Sequence, residues 1–121
     1  MKENNFYLMK SKIIALSKND EFKTLLKQRR ISNKYVTIHF GILKNKKDNK
    51  LNVSFVTKKK IGNAVKRNKI KRRLKNIFNN ATKNINIKLK YSYLVIAKPN
   101  MLDNDYENIR QTLFKELKKI R

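Results

Sequence analysis

Side chains that could carry out acid–base or metal-assisted hydrolysis are few in this chain and lie far apart along it. A hydrolytic site needs metal-binding carboxylates, a general base or an activated nucleophile. The one histidine, His39, has no acidic neighbour in sequence, and cysteine is absent, which excludes a thiol nucleophile, a disulfide framework and a cysteine-based zinc site. Asp20 with Glu21, and the acidic residues between 103 and 107, stand where helices are expected to begin, so capping explains them. The sequence gives no support for a catalytic centre on the protein itself.

Residues 58–78, KKKIGNAVKRNKIKRRLKNIF, predict contact with a polyanion. Ten of the first eighteen are Lys or Arg, and none is acidic. On a helix these side chains can contact successive phosphates, Arg through a bidentate fork and Lys as a point charge, while Asn63 and Asn68 add amides that reach 2′-hydroxyls or base edges. A solvated charged face would be expected to carry Glu or Asp for pairing along the helix, and this segment has neither.

The charge of the whole chain points to the same partner. Its 121 residues include 32 Lys plus Arg and 8 Asp plus Glu, a formal net charge of +24, and the self-repulsion is costly in a compact state unless a partner neutralises it. An AT-rich genome offers an alternative explanation for part of the Lys excess. It does not explain why fifteen basic residues and no acidic ones occur between Asp48 and Asp103. The segregated charge predicts nucleic-acid binding.

The length of the chain fits one domain with one core, so we assign residues 1–121 to a single domain. Residues 1–15 lack clear periodicity and are expected to form a flexible N-terminal arm. No segment has the sustained apolar stretch of a secretory signal or the roughly 20 apolar residues of a membrane span. We therefore expect a cytoplasmic protein with no membrane partner.

Three segments have the composition of strands. Residues 35–43 and 51–57 are rich in β-branched and aromatic side chains, and the polar residues 44–50 between them favour an antiparallel hairpin. Residues 91–97 form a nearly continuous apolar run, which is typical of a strand that is central in its sheet or covered on both faces.

Hydrophobic periodicity predicts three helices. The first is expected at about 19–29, the second after Gly62 with Asn63 as its cap, and the third after the acidic residues 103–107, with a polar linker at 79–90. The predicted buried stripes consist of Ile70, Leu74, Ile77, Phe78 and Ala81 in the second helix, and of Tyr106, Ile109, Leu113, Leu117 and Ile120 in the third. The order of elements predicts an α+β sandwich in which helices pack on one small sheet.

Two arginines of the basic helix do not fit its solvent-facing side. Arg67 and Arg73 project near the edges of the buried stripe when the residues are placed at 100° intervals. Either they extend past the rim of the core, or the first turn of the helix overhangs the sheet.

The basic segment resembles the signature of the bacterial ribonuclease P protein subunit, in which a helix is named for its Arg-Asn-Arg element. That element is Arg67-Asn68-Lys69 here, so one bidentate fork is replaced by a point charge. The similarity extends to LSKNDEF at residues 16–22, FVTKKKIG at 55–62 and YLVIAKP at 93–99. It implies a four-stranded sheet with about three helices and a left-handed βαβ crossover, although the general rule favours the right-handed connection.

The resemblance also implies a function. In this family the RNA subunit performs the Mg²⁺-assisted hydrolysis that removes the 5′ leader from precursor tRNA. The protein binds that RNA in a one-to-one complex, holds the single-stranded leader in a cleft between the first helix and the sheet, and improves substrate and Mg²⁺ affinity. The positions that match the RNA-binding motif are Lys59, Lys60, Asn63, Arg67, Asn68, Lys69, Lys71 and Arg72, with Arg73 and Lys75 as additions.

The leader cleft departs from the family pattern. Phe22 matches a cleft aromatic, but Leu26 stands where a second aromatic is frequent, and His39 aligns with a cleft tyrosine across a one-residue gap. Stacking on the leader is therefore expected to be weaker, or redistributed to Tyr35 or Phe40.

Two other functions are open at this stage. A small ribosomal or ribosome-assembly protein would share the size and charge, but it has no reason to carry this helix motif together with a leader cleft. A nuclease acting without RNA would need the carboxylate cluster that the sequence lacks.

Overall fold

The computed structural model describes residues 13–16, 19–44 and 50–121, which form an α+β fold with helices on both faces of one mixed sheet. Four strands have four residues or more, as the resemblance implies, and a two-residue strand is added at one edge. In chain order the elements are β1 (Ile13–Ile14), α1 (Asn19–Leu26), β2 (Arg29–Ser32), β3 (Val36–Gly41), β4 (Leu51–Val56), a 3₁₀ turn (Lys59–Ile61), α2 (Ala64–Asn84), β5 (Ser92–Ala97), α3 (Asn100–Asp103) and α4 (Tyr106–Lys118).

The sheet order is β1-β4-β5-β3-β2, so the predicted hairpin between β3 and β4 is wrong. β5 lies between these strands, antiparallel to β3 and parallel to β4. β3 and β4 therefore run in opposite directions, as a hairpin requires, but they are not neighbours. The apolar β5 is buried along almost its whole length and takes the central position, which confirms the prediction for residues 91–97.

The predicted first helix is three residues too long. α1 ends at Leu26, and Arg29, the last residue of the predicted helix, instead begins β2, an edge strand that pairs antiparallel with β3. A four-residue strand with mostly exposed side chains carries too little hydrophobic alternation to be recognised.

The two faces of the sheet carry separate apolar clusters. On one face, alternate residues of β3, β4 and β5 pack with α2, α3 and α4 in the main core. On the other face, Leu25 of α1 packs with Leu16 and Leu94 in a smaller cluster. Because side chains alternate along a strand, neighbouring residues of β5 such as Leu94 and Val95 belong to different clusters.

The predicted buried stripe of α2 is confirmed at all five positions: Ile70, Leu74, Ile77, Phe78 and Ala81. The helix continues to Asn84, so the first half of the predicted linker at 79–90 is helical. In the remainder Ile87 is buried, which fixes this connection to the core. An acidic cap of α4 is confirmed at Asp105, as are the predicted buried residues Ile109, Leu113 and Leu117. Ile120 is buried just beyond the helix, whereas Tyr106 is only partly buried.

α2 connects the adjacent parallel strands β4 and β5, so a βαβ crossover is present. The left-handedness of this crossover stays a prediction. Most of the proposed N-terminal arm and most of the polar turn at 44–50 lie outside the described residues, whereas Ile13 and Ile14 of the arm pair with β4.

Candidate nucleic-acid interface

The basic helix begins with a side-chain N-cap. The Asn63 side-chain oxygen accepts a hydrogen bond from the Lys66 backbone N–H at 3.0 Å, which satisfies one of the free donors at the helix N-terminus. Gly62 precedes it with φ 152° and ψ −164°, a conformation almost restricted to glycine. No acidic residue occupies the first turn, so the positive end of the helix dipole adds to the charge of the lysines around it.

The first turns of α2 project beyond the core. None of residues 64–69 is buried, the first buried side chain is Ile70, and Val65 is 75% exposed. Arg67 is half-buried, and its Nε atom is enclosed without a hydrogen-bond partner. The overhang therefore explains how Arg67 can be near the buried side of the helix and still be available to a partner.

The outward face of α2 and the turn before it present a continuous basic surface. None of the 21 helix residues is acidic, and among the described residues the basic side chains of this surface form no ion pair. Every predicted RNA-binding residue other than Arg67 and Arg73 is exposed: Lys59, Lys60, Asn63, Asn68, Lys69, Lys71, Arg72 and Lys75.

Arg73 is used differently from its neighbour Arg72. Its Nη1 atom donates hydrogen bonds to the backbone oxygens of Met101 at 3.1 Å and Asn104 at 3.0 Å, and the side chain is half-buried. The guanidinium thus connects α2 to the end of α3. Its position near the edge of the stripe, which the sequence left open, follows from this internal contact.

A groove of about 670 Å³ lies between α1, β4 and α2. Phe22 of α1 and Val56 of β4 contribute apolar surface, and Asn68, Lys71 and Arg72 of α2 contribute polar and charged groups. The groove follows the edge of β4 beyond Asn52, where the pairing with β1 ends. An aromatic side chain and a row of cations therefore line the same groove, an arrangement that suits a single nucleic-acid strand.

The other predicted cleft residues are not brought together. Tyr35 and Phe40 are almost fully buried in the main core on the opposite face, so neither can stack on a nucleotide, and the predicted redistribution to them is wrong. Leu26 is 49% exposed on α1 but does not line the groove. Only one of the predicted cleft residues, Phe22, lines the groove.

His39 lies on the α1 side of the sheet, as its pairing with Leu94 requires, but it is only 6% exposed. Burial lowers the pKa of His39 and the charge of Arg30 lowers it further, so the imidazole is neutral at pH 7. Its Nδ1 atom is buried without a hydrogen-bond partner. His39 is therefore a buried strand residue that does not line the groove.

All four residues from Val53 to Val56 of β4 line the groove, and none of them is among the predicted cleft residues. Val53 and Phe55 pack in the main core, so the period-two pattern could have placed only Ser54 and Val56 on the α1 face. Nothing in the sequence shows that β4 would be an edge strand over this stretch, because strand order depends on contacts between distant segments.

Neither a metal site nor a membrane span is found in the part of the chain that the structure describes. The described residues contain no group of three or more His, Asp or Glu side chains that could hold a metal ion. No helix among them has the length and apolar character needed to cross a membrane.

Known proteins share both the sequence pattern and the geometry. The family model described as Ribonuclease P matches residues 10–121. The ribonuclease P protein component of Mesomycoplasma hyopneumoniae is 33% identical over 112 residues, which cover 89% of this chain and 96% of that protein. The corresponding protein of Listeria monocytogenes serotype 4b is 30% identical over 104 residues, which cover 85% of this chain and 84% of that protein.

Solved structures have the same fold. The RNase P protein from Thermotoga maritima superimposes with a TM-score of 0.75 at 23% identity, covering 89% of this chain and 98% of that one, a likeness of fold alone. The Staphylococcus aureus RNase P protein gives a TM-score of 0.69 at 28% identity, covering 87% of this chain and 92% of that one.

Proposed function

Because the chain belongs to the ribonuclease P protein family, we propose that its basic helix binds the RNA subunit of that enzyme and that its groove holds the 5′ leader of precursor tRNA. Ribonuclease P is a ribonucleoprotein endoribonuclease that processes the 5′ end of precursor tRNA, and the chain is a protein subunit of such an enzyme. The residues that contact each RNA, and the effect of the protein on Mg²⁺ affinity, belong to the proposal.

The observation that carries the proposal is the acid-free outward face of α2, which overhangs the core at its N-terminal end. An overhanging helix can enter a concave RNA surface without a clash between that RNA and the sheet. Lys69 and Arg72, which are about 60° apart around the helix, would then contact phosphates of that RNA, and the Asn63 cap would fix the start of the helix that carries them.

The groove supports the second part of the proposal. Phe22 is half-buried, so one part of its ring packs on the small cluster and the rest faces the groove. A base of the leader can stack on that exposed part while its phosphates lie along Lys71 and Lys75 of α2. Because this contact exists only for tRNA that still carries its leader, it would favour substrate over product.

We place the hydrolysis on the RNA subunit. The described residues offer no cluster of acidic or histidine side chains suited to Mg²⁺, so we propose that the RNA and the substrate hold the ions. When bound there, Mg²⁺ would supply the activated water and the charge stabilisation for phosphodiester cleavage. The protein's own contribution would be electrostatic: its cations neutralise phosphates that would otherwise require additional Mg²⁺.

A reconstitution tests this function. The purified protein is mixed in a one-to-one ratio with a bacterial ribonuclease P RNA, and cleavage of precursor tRNA is followed as Mg²⁺ is varied. We expect cleavage at lower Mg²⁺ than with the RNA alone, and tighter binding of precursor than of mature tRNA. The protein without RNA should not cleave.

Two results would overturn the proposal. Cleavage by RNA-free protein would place a catalytic site on the chain, and an unchanged Mg²⁺ requirement would remove the proposed electrostatic role. A variant with Lys27, Lys44 and Lys90 changed to Ala is the charge control, because these exposed residues lie outside both α2 and the groove. It should support cleavage as the unmodified protein does.

A further inference from the structure

We propose that the outward face of α4 is a second RNA-binding surface, separate from α2, which takes the sugar–phosphate backbone of a double-stranded RNA. We call it the α4 surface and define it by Lys34, Asn108, Gln111, Lys115 and Lys118, which line a shallow groove of about 530 Å³. The inference goes beyond the proposed function, which uses only α2 and the groove beside it.

The spacing along α4 builds one polar stripe. Asn108, Gln111, Lys115 and Lys118 stand at i, i+3, i+7 and i+10, so they follow one side of the helix, and all four are exposed. The stripe is about 15 Å long at 1.5 Å per residue. Lys34, in the turn between β2 and β3, extends the row of cations from a separate part of the chain.

The three lysines of the α4 surface have no carboxylate partner among the described residues. The described residues that line the groove include four cations and no Asp or Glu. The fourth cation, Arg110, forms an ion pair with Glu107, and its guanidinium lies 5.0 Å from the centre of the Phe114 ring. Its charge is therefore partly neutralised within the chain. Lys115 and Lys118 form no ion pair with any described residue, which leaves both ammonium groups available to phosphates.

The chemistry of the α4 surface favours double-stranded over single-stranded RNA. Single strands are typically held by stacking of bases on exposed aromatic rings. Tyr35 and Phe114, the two aromatic residues of this groove, are 1% and 9% exposed and cannot offer a ring face. Lysines and side-chain amides on a rigid helix suit the phosphates and 2′-hydroxyls that an RNA duplex displays.

Binding of a labelled RNA hairpin with a stem of about 20 base pairs tests this inference. Its dissociation constant is measured at several salt concentrations for the full chain and for a variant with Lys34, Lys115 and Lys118 changed to Ala. The Lys27, Lys44 and Lys90 triple variant removes the same charge elsewhere and is the matched control. We expect the α4 variant to lower the salt slope by about 2–3, at roughly 0.7–0.9 for each phosphate that is no longer neutralised, and the control to lower it by less than about one.

Equal slopes in the two triple variants would overturn the inference, as would weakened binding confined to a single-stranded RNA of the same length. If the triple variant does not fold by thermal melting, Lys118→Gln alone should lower the slope by about one. An Arg72→Ala, Lys75→Ala variant separates the two hypotheses. Loss of binding to ribonuclease P RNA in that variant, with an unaltered α4 triple variant, would reject the α4 surface and leave the role of α2 standing.

Discussion

The Arg73 guanidinium donates a hydrogen bond to the backbone oxygen of Asn104, 3.0 Å away, and so joins the basic helix to the residue that follows α3. A second bond from the same nitrogen reaches the Met101 oxygen. Arg72, the preceding residue, is exposed and lines the groove. Of these two adjacent arginines, one is therefore bonded within the chain and the other is exposed to solvent.

Arg73→Ala is expected to lower the free energy of unfolding by about 1–3 kcal/mol, because two backbone oxygens lose a charged donor. The salt slope of RNA binding should stay the same, since this guanidinium is already occupied by the chain's own carbonyls. Urea unfolding and filter binding measure the two quantities. A variant that keeps its stability but shows a smaller salt slope would show that Arg73 contacts RNA instead.

Arg72→Ala is expected to give the reverse pattern. Its side chain is exposed, so the urea midpoint should hardly change. Affinity for ribonuclease P RNA should fall, and the salt slope should decrease by about one unit because one phosphate is no longer neutralised. Arg67→Ala should lower the affinity and the salt slope in the same way, but its side chain is half-buried, so the urea midpoint should change more than in Arg72→Ala. Unchanged affinity and slope would make both residues part of the solvated surface.

The elements that depend on local pattern could be predicted from the sequence. The five buried positions of α2 follow from helical spacing, and the caps at Asn63 and Asp105 from short polar side chains before apolar periodic segments. The sheet order could not be predicted in this way. Whether β4 pairs with β3 or β5 depends on which distant strand is apolar enough to occupy the centre, and the turn at 44–50 carries no information about that choice.

The same distinction between local pattern and long-range contacts applies to the candidate site. The exposed basic side chains of α2 follow from charge and helix geometry, because both are properties of one segment. The groove requires three segments to meet, and of the predicted cleft residues only Phe22 lines it. Tyr35 illustrates the reason: an aromatic residue next to a strand can face either side of the sheet, and here it faces the main core.

Gly62→Ala is expected to destabilise the start of α2 by about 1–3 kcal/mol, because an L-residue is strained at φ 152°. An added Cβ would also approach the Lys66 Cδ atom at 2.8 Å. Urea unfolding of the double variant Gly62→Ala, Lys66→Ala separates the two causes. Recovery of stability in the double variant would mean that crowding by Lys66, and not the backbone, restricts this position to glycine.

The pKa of His39 predicts a pH-dependent stability. Burial, and secondly Arg30, lower this pKa below its ordinary value of 6.5, so the unfolded chain binds more protons than the folded chain below that pH. The free energy of unfolding should therefore be highest above pH 6.5, where His39 is neutral in both states. It should fall as the pH decreases below 6.5, because protonation of His39 then favours the unfolded chain. His39 is the only histidine, so urea unfolding between about pH 5.5 and 7.5 isolates its effect. In His39→Leu the dependence should disappear, and parallel pH profiles for the two proteins would contradict this assignment.

Phe22→Leu is expected to reduce the preference of the reconstituted enzyme for leader-bearing over mature tRNA by roughly tenfold, because stacking of a base on an aromatic ring contributes about 1–3 kcal/mol. Leucine keeps apolar contact with the small cluster, so the urea midpoint should change little. Leu26→Ala is the matched control: Leu26 is on the same helix and 49% exposed, but it does not line the groove. Equilibrium binding of both tRNA forms measures the preference. If Leu26→Ala reduces it as much as Phe22→Leu does, the leader lies on the outer side of α1 and not in the groove between α1, β4 and α2.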